Sequence, residues 1–285
     1  MAGTLNGKTA LVTGATNGIG KAAARALAAQ GAEVVLVARS RELAEATTAE
    51  IARESGNSRV SYLLGDLSVQ ADVRRIAAEF LASGRPLHIL LNNAGALFPT
   101  RTVSADGFEM TFALNHLGYF LLTNLLLERV RESAPARIVN VASMAHRSAR
   151  KGLNFSDLQF EHGYSTLGAY GASKLANILF TRELARRLQG SGVTVNCLHP
   201  GFVASRFGYS NPLYSFAMTL MRPFQRSIAK GSETSIYLCT SPEVANVTGE
   251  YFADCKKSAT TRWAQDDAAA ARLWQLSAEM TGVAA

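Results

Sequence analysis

A tyrosine and a lysine stand four residues apart in Tyr170-Gly171-Ala172-Ser173-Lys174. On a helix that spacing puts both side chains on one face. A free phenol has a pKa of about 10, too high for efficient proton exchange at neutral pH. A neighbouring ammonium favours the phenolate. Such a pair could act as acid and base on an alcohol or carbonyl oxygen. Tyr/Lys pairs also arise by chance on solvated helices, so this one gains weight only from its company.

Two further polar residues keep that company. Ser143 follows the apolar run Val139-Asn140-Val141-Ala142, where a serine either closes a turn or presents its hydroxyl to a ligand. Asn115 interrupts an apolar segment, Leu114-Asn115-His116-Leu117-Gly118. An amide buried in a helix must find partners or cost free energy. His116, His88 and His146 read as packing or surface histidines and are given no chemical role.

Nearer the start, Thr13-Gly14-Ala15-Thr16-Asn17-Gly18-Ile19-Gly20 falls between an apolar strand pattern and an Ala-rich helix pattern. Gly14 permits a tight turn, while Gly18 and Gly20 permit close approach of backbone to a ligand. The free N–H groups of the following helix then face a bound pyrophosphate. At the end of the second strand, NAD-binding chains carry a carboxylate for the ribose 2′-hydroxyl. Here the residues are Ala38-Arg39-Ser40-Arg41. A guanidinium at 39, helped by Ser40 or Arg41, suits a 2′-phosphate, which predicts NADP(H) over NAD(H).

The elements that position these residues alternate. Strands are predicted at Thr9–Thr13, Glu33–Ala38, Val60–Leu64, Leu87–Leu91, Arg137–Ala142, Val193–Leu198 and Glu250–Ala253. Helices are predicted at Gly18–Gln30, Arg41–Glu54, Val69–Leu81, Ala105–Arg131, Leu167–Leu188, Ile228–Cys239 and Gln265–Met280. Strand–helix–strand units imply an α/β fold: a Rossmann-type doubly wound parallel sheet of about seven strands, helices on both faces. No linker divides the chain, so residues 1–285 are expected to form a single domain. The polar stretch Ala145–Thr166 reads as a surface loop within it.

The chain has 285 residues, enough for one well-buried core. Its net charge of +7 comes from scattered residues rather than a basic tract, which speaks against nucleic acid as a partner. Cys197, Cys239 and Cys255 are far apart, so no metal site is expected and a reducing cytoplasm suits them. No signal peptide is evident. No apolar run reaches the roughly 20 residues of a membrane span.

Together these segments resemble the short-chain dehydrogenase/reductase family. TGxxxGIG lies at 13–20, NNAG at 92–95, YxxxK at 170–174, and a PGxVx(T) turn at 200–205, over about residues 5–255. The resemblance implies an NADP(H)-dependent oxidoreductase with Tyr170 as general acid/base. It implies that Lys174 supports Tyr170, that Ser143 donates to the substrate oxygen, and that Asn115 holds a water linking Lys174 to solvent. For the cofactor it implies contacts from Gly14, Thr16, Asn17, Gly18, Ile19 and Gly20, then Arg39 and Ser40. Asp66 and Leu67 are implied at the adenine, Asn93, Ala94 and Gly95 at the ribose, with Tyr170 and Lys174 beyond. The turn Pro200, Gly201, Val203 and Ser205 is implied at the nicotinamide, where Ser205 replaces the family threonine. A homodimer or homotetramer is implied as well.

The run AYGASKLANILF at 169–180 and the tail around Trp274 resemble the retinol-dehydrogenase-like branch, which handles lipophilic alcohols and carbonyls. Residues 205–227, with Phe207, Tyr209, Tyr214, Phe216 and Met218, are then expected to form an apolar lid over a lipophilic alcohol, ketone or aldehyde. Packing on a partner subunit and weak membrane contact stay open for that segment. Residues 264–285 are expected to form a helical tail. A protein that binds NADP(H) for regulation without turnover is the alternative, and retention of Asn115, Ser143, Tyr170 and Lys174 together argues against it.

Overall fold

The computed structural model describes residues 5–203 and 225–284. The lid segment up to residue 224, Ser205 included, lies outside the described residues.

One sheet organises the rest. Its strands are β1 (Thr9–Thr13), β2 (Glu33–Ala38), β3 (Val60–Leu64), β4 (Ile89–Asn92), β5 (Ala136–Val141), β6 (Val193–His199), β7 (Tyr251–Ala253) and β8 (Lys256–Lys257). They lie in the order β3-β2-β1-β4-β5-β6-β7-β8. The first seven pair in parallel. The expected count of about seven therefore grows by one: β8 is a two-residue antiparallel return on β7. So short a strand carries no periodicity from which to foresee it.

Along β1, Leu11 enters one core while Ala10 and Val12 enter the other. Alternation with both faces buried is what helices on both sides require. The helices are α1 (Gly18–Ala29), α2 (Arg41–Ser55), α3 (Gln70–Ala82), α4 (Met110–Glu132), α5 (Thr166–Arg187), α6 (Ile228–Thr240) and α7 (Asp267–Thr281). Leu27 of α1, Ile51 of α2 and Leu238 of α6 pack on one face of the sheet. Phe80 of α3, Phe120 of α4, Phe180 of α5 and Trp274 of α7 pack on the other.

The chain leaves β3 at one edge and re-enters beside β1 as β4, so strand order reverses between β1 and β4. Crevices form at the carboxyl ends of strands on either side of such a switch point. Strand order is secured there by side chains. Asn92 at the end of β4 donates to Asn140 of β5 at 2.9 Å and to Thr123 at 2.9 Å, and Asn140 donates to Thr181 of α5 at 3.0 Å. All four are fully buried.

Three expectations need correction. The helical run predicted from Ala105 begins at Met110, because residues 105–107 turn back with Gly107 at φ 82°. Glu109 starts the helix: its buried carboxylate accepts from the N–H groups of Thr111 (2.8 Å) and Phe112 (2.7 Å). Next, the 23 residues of α4 are long and apolar enough to span a bilayer, contrary to the sequence reading. Yet most of this helix is buried inside the protein, since α4 lies between the sheet and its neighbouring helices. Finally, the stretch 145–166 is more than a surface loop. It opens with a 3-10 turn (Met144–Ser148) and buries Leu153 and Leu158 against α5 and α7.

Glu109 gives this subsection its test. Glu109→Ala should leave two buried N–H groups at the start of α4 unsatisfied and lower unfolding stability by about 1–3 kcal/mol. Thermal or urea unfolding measures this, and a change below a few tenths would show that water replaces the carboxylate without loss.

Candidate active site

The glycine turn after β1 is closed by the loop after β4. Asn93 donates to the carbonyls of Thr13 (2.9 Å) and Gly14 (3.2 Å), while Thr13 Oγ1 accepts from the N–H groups of Asn93 (2.8 Å) and Ala94 (3.0 Å). The loops are so close that a Cβ on Gly20 would strike Asn93 Nδ2 and the Gly14 carbonyl, and one on Gly14 would come within 2.8 Å of Ala94 Cα. Gly14 also adopts φ 61°. Asn17 caps α1 by accepting from Gly18 N–H at 2.7 Å, and Thr16 and Ile19 flank it at the helix start. A backbone cradle facing a helix N-terminus fits a pyrophosphate.

At the end of β2, Arg39 extends into solvent with 73% of its side chain exposed, 3.6 Å from Asp66. An exposed pair at that distance contributes little to stability, so Arg39 can turn to an anionic ligand. Its sequence neighbours are committed elsewhere. Ser40 caps α2 through Leu43 N–H at 3.3 Å, and Arg41 lies against Tyr62 (3.3 Å) and Glu45 (3.8 Å). Asp66 braces its own turn, accepting from the Ser68 N–H and hydroxyl. Leu67 is buried, with its carbonyl against Gly118.

The four residues expected to react converge from three elements. Asn115 lies in a π turn of α4, Ala113–Leu117. Such turns leave backbone groups outside the regular helical ladder and recur at functional sites. Asn115 clamps the loop beyond Gly95: its Oδ1 accepts from Ala96 N–H at 2.9 Å and its Nδ2 donates to Ala96 carbonyl at 3.0 Å. The same amide donates to Ser173 of α5 at 3.0 Å. Ser143 accepts from Ala145 N–H at 3.1 Å. That bond takes a lone pair and leaves the hydroxyl hydrogen for another acceptor.

The turn after Ser143 is bolted to the helix that carries Tyr170. Ser148 donates to the carbonyls of Ala145 (2.9 Å) and Leu167 (3.1 Å). A Cβ on Gly171 would come within 2.7 Å of the Ala145 carbonyl and collide with Ser148 Oγ. Glycine after Tyr170 is what lets the two segments touch, and nothing in the sequence pattern flags that contact.

Lys174 is the electrostatic centre. It is 2% exposed, donates from Nζ to the Val141 carbonyl at 3.0 Å, and lies 5.5 Å from the centroid of the Tyr170 ring and 5.9 Å from that of Tyr119. Among the described residues no carboxylate comes within ion-pair distance of it. Burial alone pulls its pKa down to about 7. Tyr119, missed from sequence, is fully buried with its hydroxyl unpartnered among the described residues. Its apolar helical context gave no sign of this.

The turn after β6 completes the groove. Pro200 leads to Gly201 at φ 88°, where any Cβ would meet the Arg226 side chain. Arg226 is held by Asp254. Val203 pairs with Arg226 and packs on Gly231. All predicted site residues within the described chain thus gather at the carboxyl ends of β1–β6 or on the facing helices. His116, given no role, is instead fully buried and doubly hydrogen-bonded.

Known proteins share this arrangement. The profile of the family described as short chain dehydrogenase matches residues 8–211. Retinol dehydrogenase 12 of Mus musculus is 44% identical over 97% of this chain and 87% of its own. Retinol dehydrogenase 13 of Homo sapiens is 42% identical over 99% and 87%. An uncharacterised protein from Mycobacterium paratuberculosis superposes with a TM-score of 0.77 at 32% identity, over 98% of this chain and 94% of that one. A short chain dehydrogenase from Burkholderia cenocepacia J2315, solved in complex with NADP, gives a TM-score of 0.70 at 26% identity, over 87% and 96%.

The buried lysine has a measurable thermodynamic consequence. Its pKa falls from 10.5 in the unfolded chain to about 7 in the folded one. Between those values the unfolded state binds the extra proton, so this group makes stability rise with pH from about 7 to about 10.5. Lys174→Met should therefore stabilise the protein by ~1–4 kcal/mol below pH 7. The gain should shrink toward pH 10. Unfolding midpoints of both proteins across pH check this, and a gap that stays constant with pH would contradict it.

Proposed function

The chain belongs to the short-chain dehydrogenase family, and from that premise we propose that it is an NADP(H)-dependent oxidoreductase interconverting a lipophilic alcohol and its aldehyde or ketone, with Tyr170 as acid/base. The observation that carries the reading is the buried Lys174 beside the Tyr170 ring, tied to the end of β5 through Val141. Binding a nucleotide does not require that arrangement. Proton exchange by a phenol does.

The nicotinamide cofactor would supply the hydride. The chain's own part follows from its groups. Gly14, Gly18 and Gly20 clear space for the pyrophosphate at α1. Arg39 offers a guanidinium to the 2′-phosphate, with no carboxylate at the end of β2 to oppose it. Ser143 donates its hydroxyl hydrogen to the substrate oxygen, and Tyr170 gives that oxygen a proton during reduction or removes one during oxidation. The Lys174 ammonium favours the phenolate and so eases either direction. Asn115 holds the loop after β4 and the helix of Tyr170 in register.

Lipophilicity is supported by what borders these groups. Met144, next to Ser143, is 54% exposed; Leu167, one turn before Tyr170, is 63% exposed; Phe202, beyond Gly201, is 41% exposed. Large apolar side chains left open beside reacting groups suit an apolar substrate. The names of the retinol dehydrogenases, 42–44% identical, fit the same substrate class.

Two experiments test the reading. Tyr170→Phe should lower NADPH-linked reduction of a lipophilic aldehyde by at least a hundredfold with NADPH affinity changed less than about threefold. Most of the activity surviving would remove Tyr170 from the chemistry. Arg39→Asp should weaken NADPH by roughly 1–3 kcal/mol and NADH much less. An unchanged ratio of the two dissociation constants would refute the 2′-phosphate assignment.

A further inference from the structure

The imidazole of His116 is fully buried, one residue beyond Asn115 in the π turn. Phe112, Phe120 and Phe180 surround it at ring-centroid distances of 5.0, 6.3 and 6.1 Å. Two polar partners reach it through that apolar wall. Its Nδ1 lies 3.3 Å from Asn177 Oδ1 on α5, and its Nε2 lies 2.9 Å from Ser277 Oγ on α7.

The partners dictate where the protons are. Asn177 Nδ2 faces the carbonyls of Asn115 (2.9 Å) and Val141 (3.5 Å), which only accept. The amide oxygen must then face His116, so His116 carries its proton at Nδ1 and accepts at Nε2 from the Ser277 hydroxyl. One directed chain results, from Ser277 through His116 and Asn177 to the carbonyls of Asn115 and Val141. The Val141 carbonyl is also the acceptor for Lys174 Nζ, at 3.0 Å.

Resting on the dehydrogenase reading above, we propose that His116 is a positioning residue. Through Asn177 it holds the Asn115 carbonyl and the Val141 carbonyl that Lys174 uses, and so sets where Lys174 Nζ lies beside Tyr170, with the C-terminal helix as its outer brace. A carbonyl has two lone pairs. Asn177 occupies the Val141 oxygen from one side and leaves the other to Lys174. The groups facing Lys174 are Tyr170 on its own helix and Tyr119 on α4, with no carboxylate among the described residues. Burial holds the His116 pKa near 4, so the neutral ring the chain needs persists through neutral pH. Protonation would place a second donor against Ser277 and would cost a buried charge.

The test compares His116→Phe, which fills the space without a donor, with His116→Asn, whose amide N–H can take the place of Nδ1–H. NADPH-linked reduction of decanal serves as the assay, with wild type and Tyr170→Phe alongside. His116→Phe should lose at least tenfold in kcat while KM for NADPH stays within twofold. Its alkaline limb should move up by at least half a pH unit, because a displaced Lys174 Nζ, as ammonium or as neutral N–H donor, favours the phenolate less. His116→Asn should recover kcat to within threefold of wild type, and Ser277→Ala should fall between. Wild-type kcat and limb in a folded His116→Phe protein, or equal damage in both His116 variants, overturns the proposal.

If His116→Phe does not fold, Asn177→Leu and Ser277→Ala decide: wild-type profiles in both overturn the proposal, and the same shifted limb supports it. If wild type turns nothing over, or Tyr170→Phe is fully active, the dehydrogenase reading has failed by itself. The positioning claim is then judged without turnover, from the tyrosinate absorbance that Tyr170→Phe lacks. Its midpoint should rise by half a pH unit in His116→Phe, and an unmoved midpoint overturns it.

Discussion

A lysine amine buried with no counter-ion among the described residues is the constraint around which this molecule is arranged. Lys174 gives up nearly all its hydration and receives in return a backbone carbonyl and the faces of two tyrosines. Transfer of a charge from water into protein is costly unless polar groups replace the lost shell. A protein retains such a group where its charge has work at a specific place. In the proposed reading that place is the face of Tyr170, one helical turn away.

The sheet makes the arrangement affordable in structural terms. Parallel pairing of β4 with β5 and of β5 with β6 brings Asn92, Asn140 and Cys197 level across three strands. The strand tips beyond them then form a common rim. Val141 at that rim presents the carbonyl that Lys174 uses, and Ser143 follows two residues later. The reversal of strand order between β1 and β4 opens the neighbouring crevice, where the glycine turn and the loop after β4 lock together through Thr13 and Asn93. In the proposed reading a dinucleotide along this rim would run from Arg39 toward Tyr170, past the described residues that the motifs single out.

Much of this was legible in the sequence, and the reasons are specific. Strands β1, β2 and β3 were bounded correctly from apolar runs flanked by turn residues; in β1 and β2 the run is nearly unbroken because both faces are buried. The glycine turn and the Tyr/Lys pair were legible because their chemistry fixes both residue type and spacing. Contacts between distant segments were not. Gly171 is needed because the turn after Ser143 presses on α5, and Glu109 is buried because the chain folds back before α4; local pattern encodes neither. His116 was passed over for a related reason. Its partners lie 61 and 161 residues away, and an apolar helical context points equally to packing. The length and apolarity of α4 concealed its nature in the opposite sense, since composition does not say whether protein or lipid will cover a helix.

The most direct test of the central interaction is the protonation equilibrium of Lys174 itself. The chain has seven lysines, so the side-chain Cε resonances of 13C-lysine-labelled protein can be followed individually through a pH titration, with Lys174→Met used for assignment. The Lys174 resonance should titrate near pH 7, well below the 10.5 of a free lysine side chain. A midpoint above about 10, where a free amine titrates, would mean that the amine is solvated rather than buried beneath Tyr170, and the account of the site would be wrong at its base.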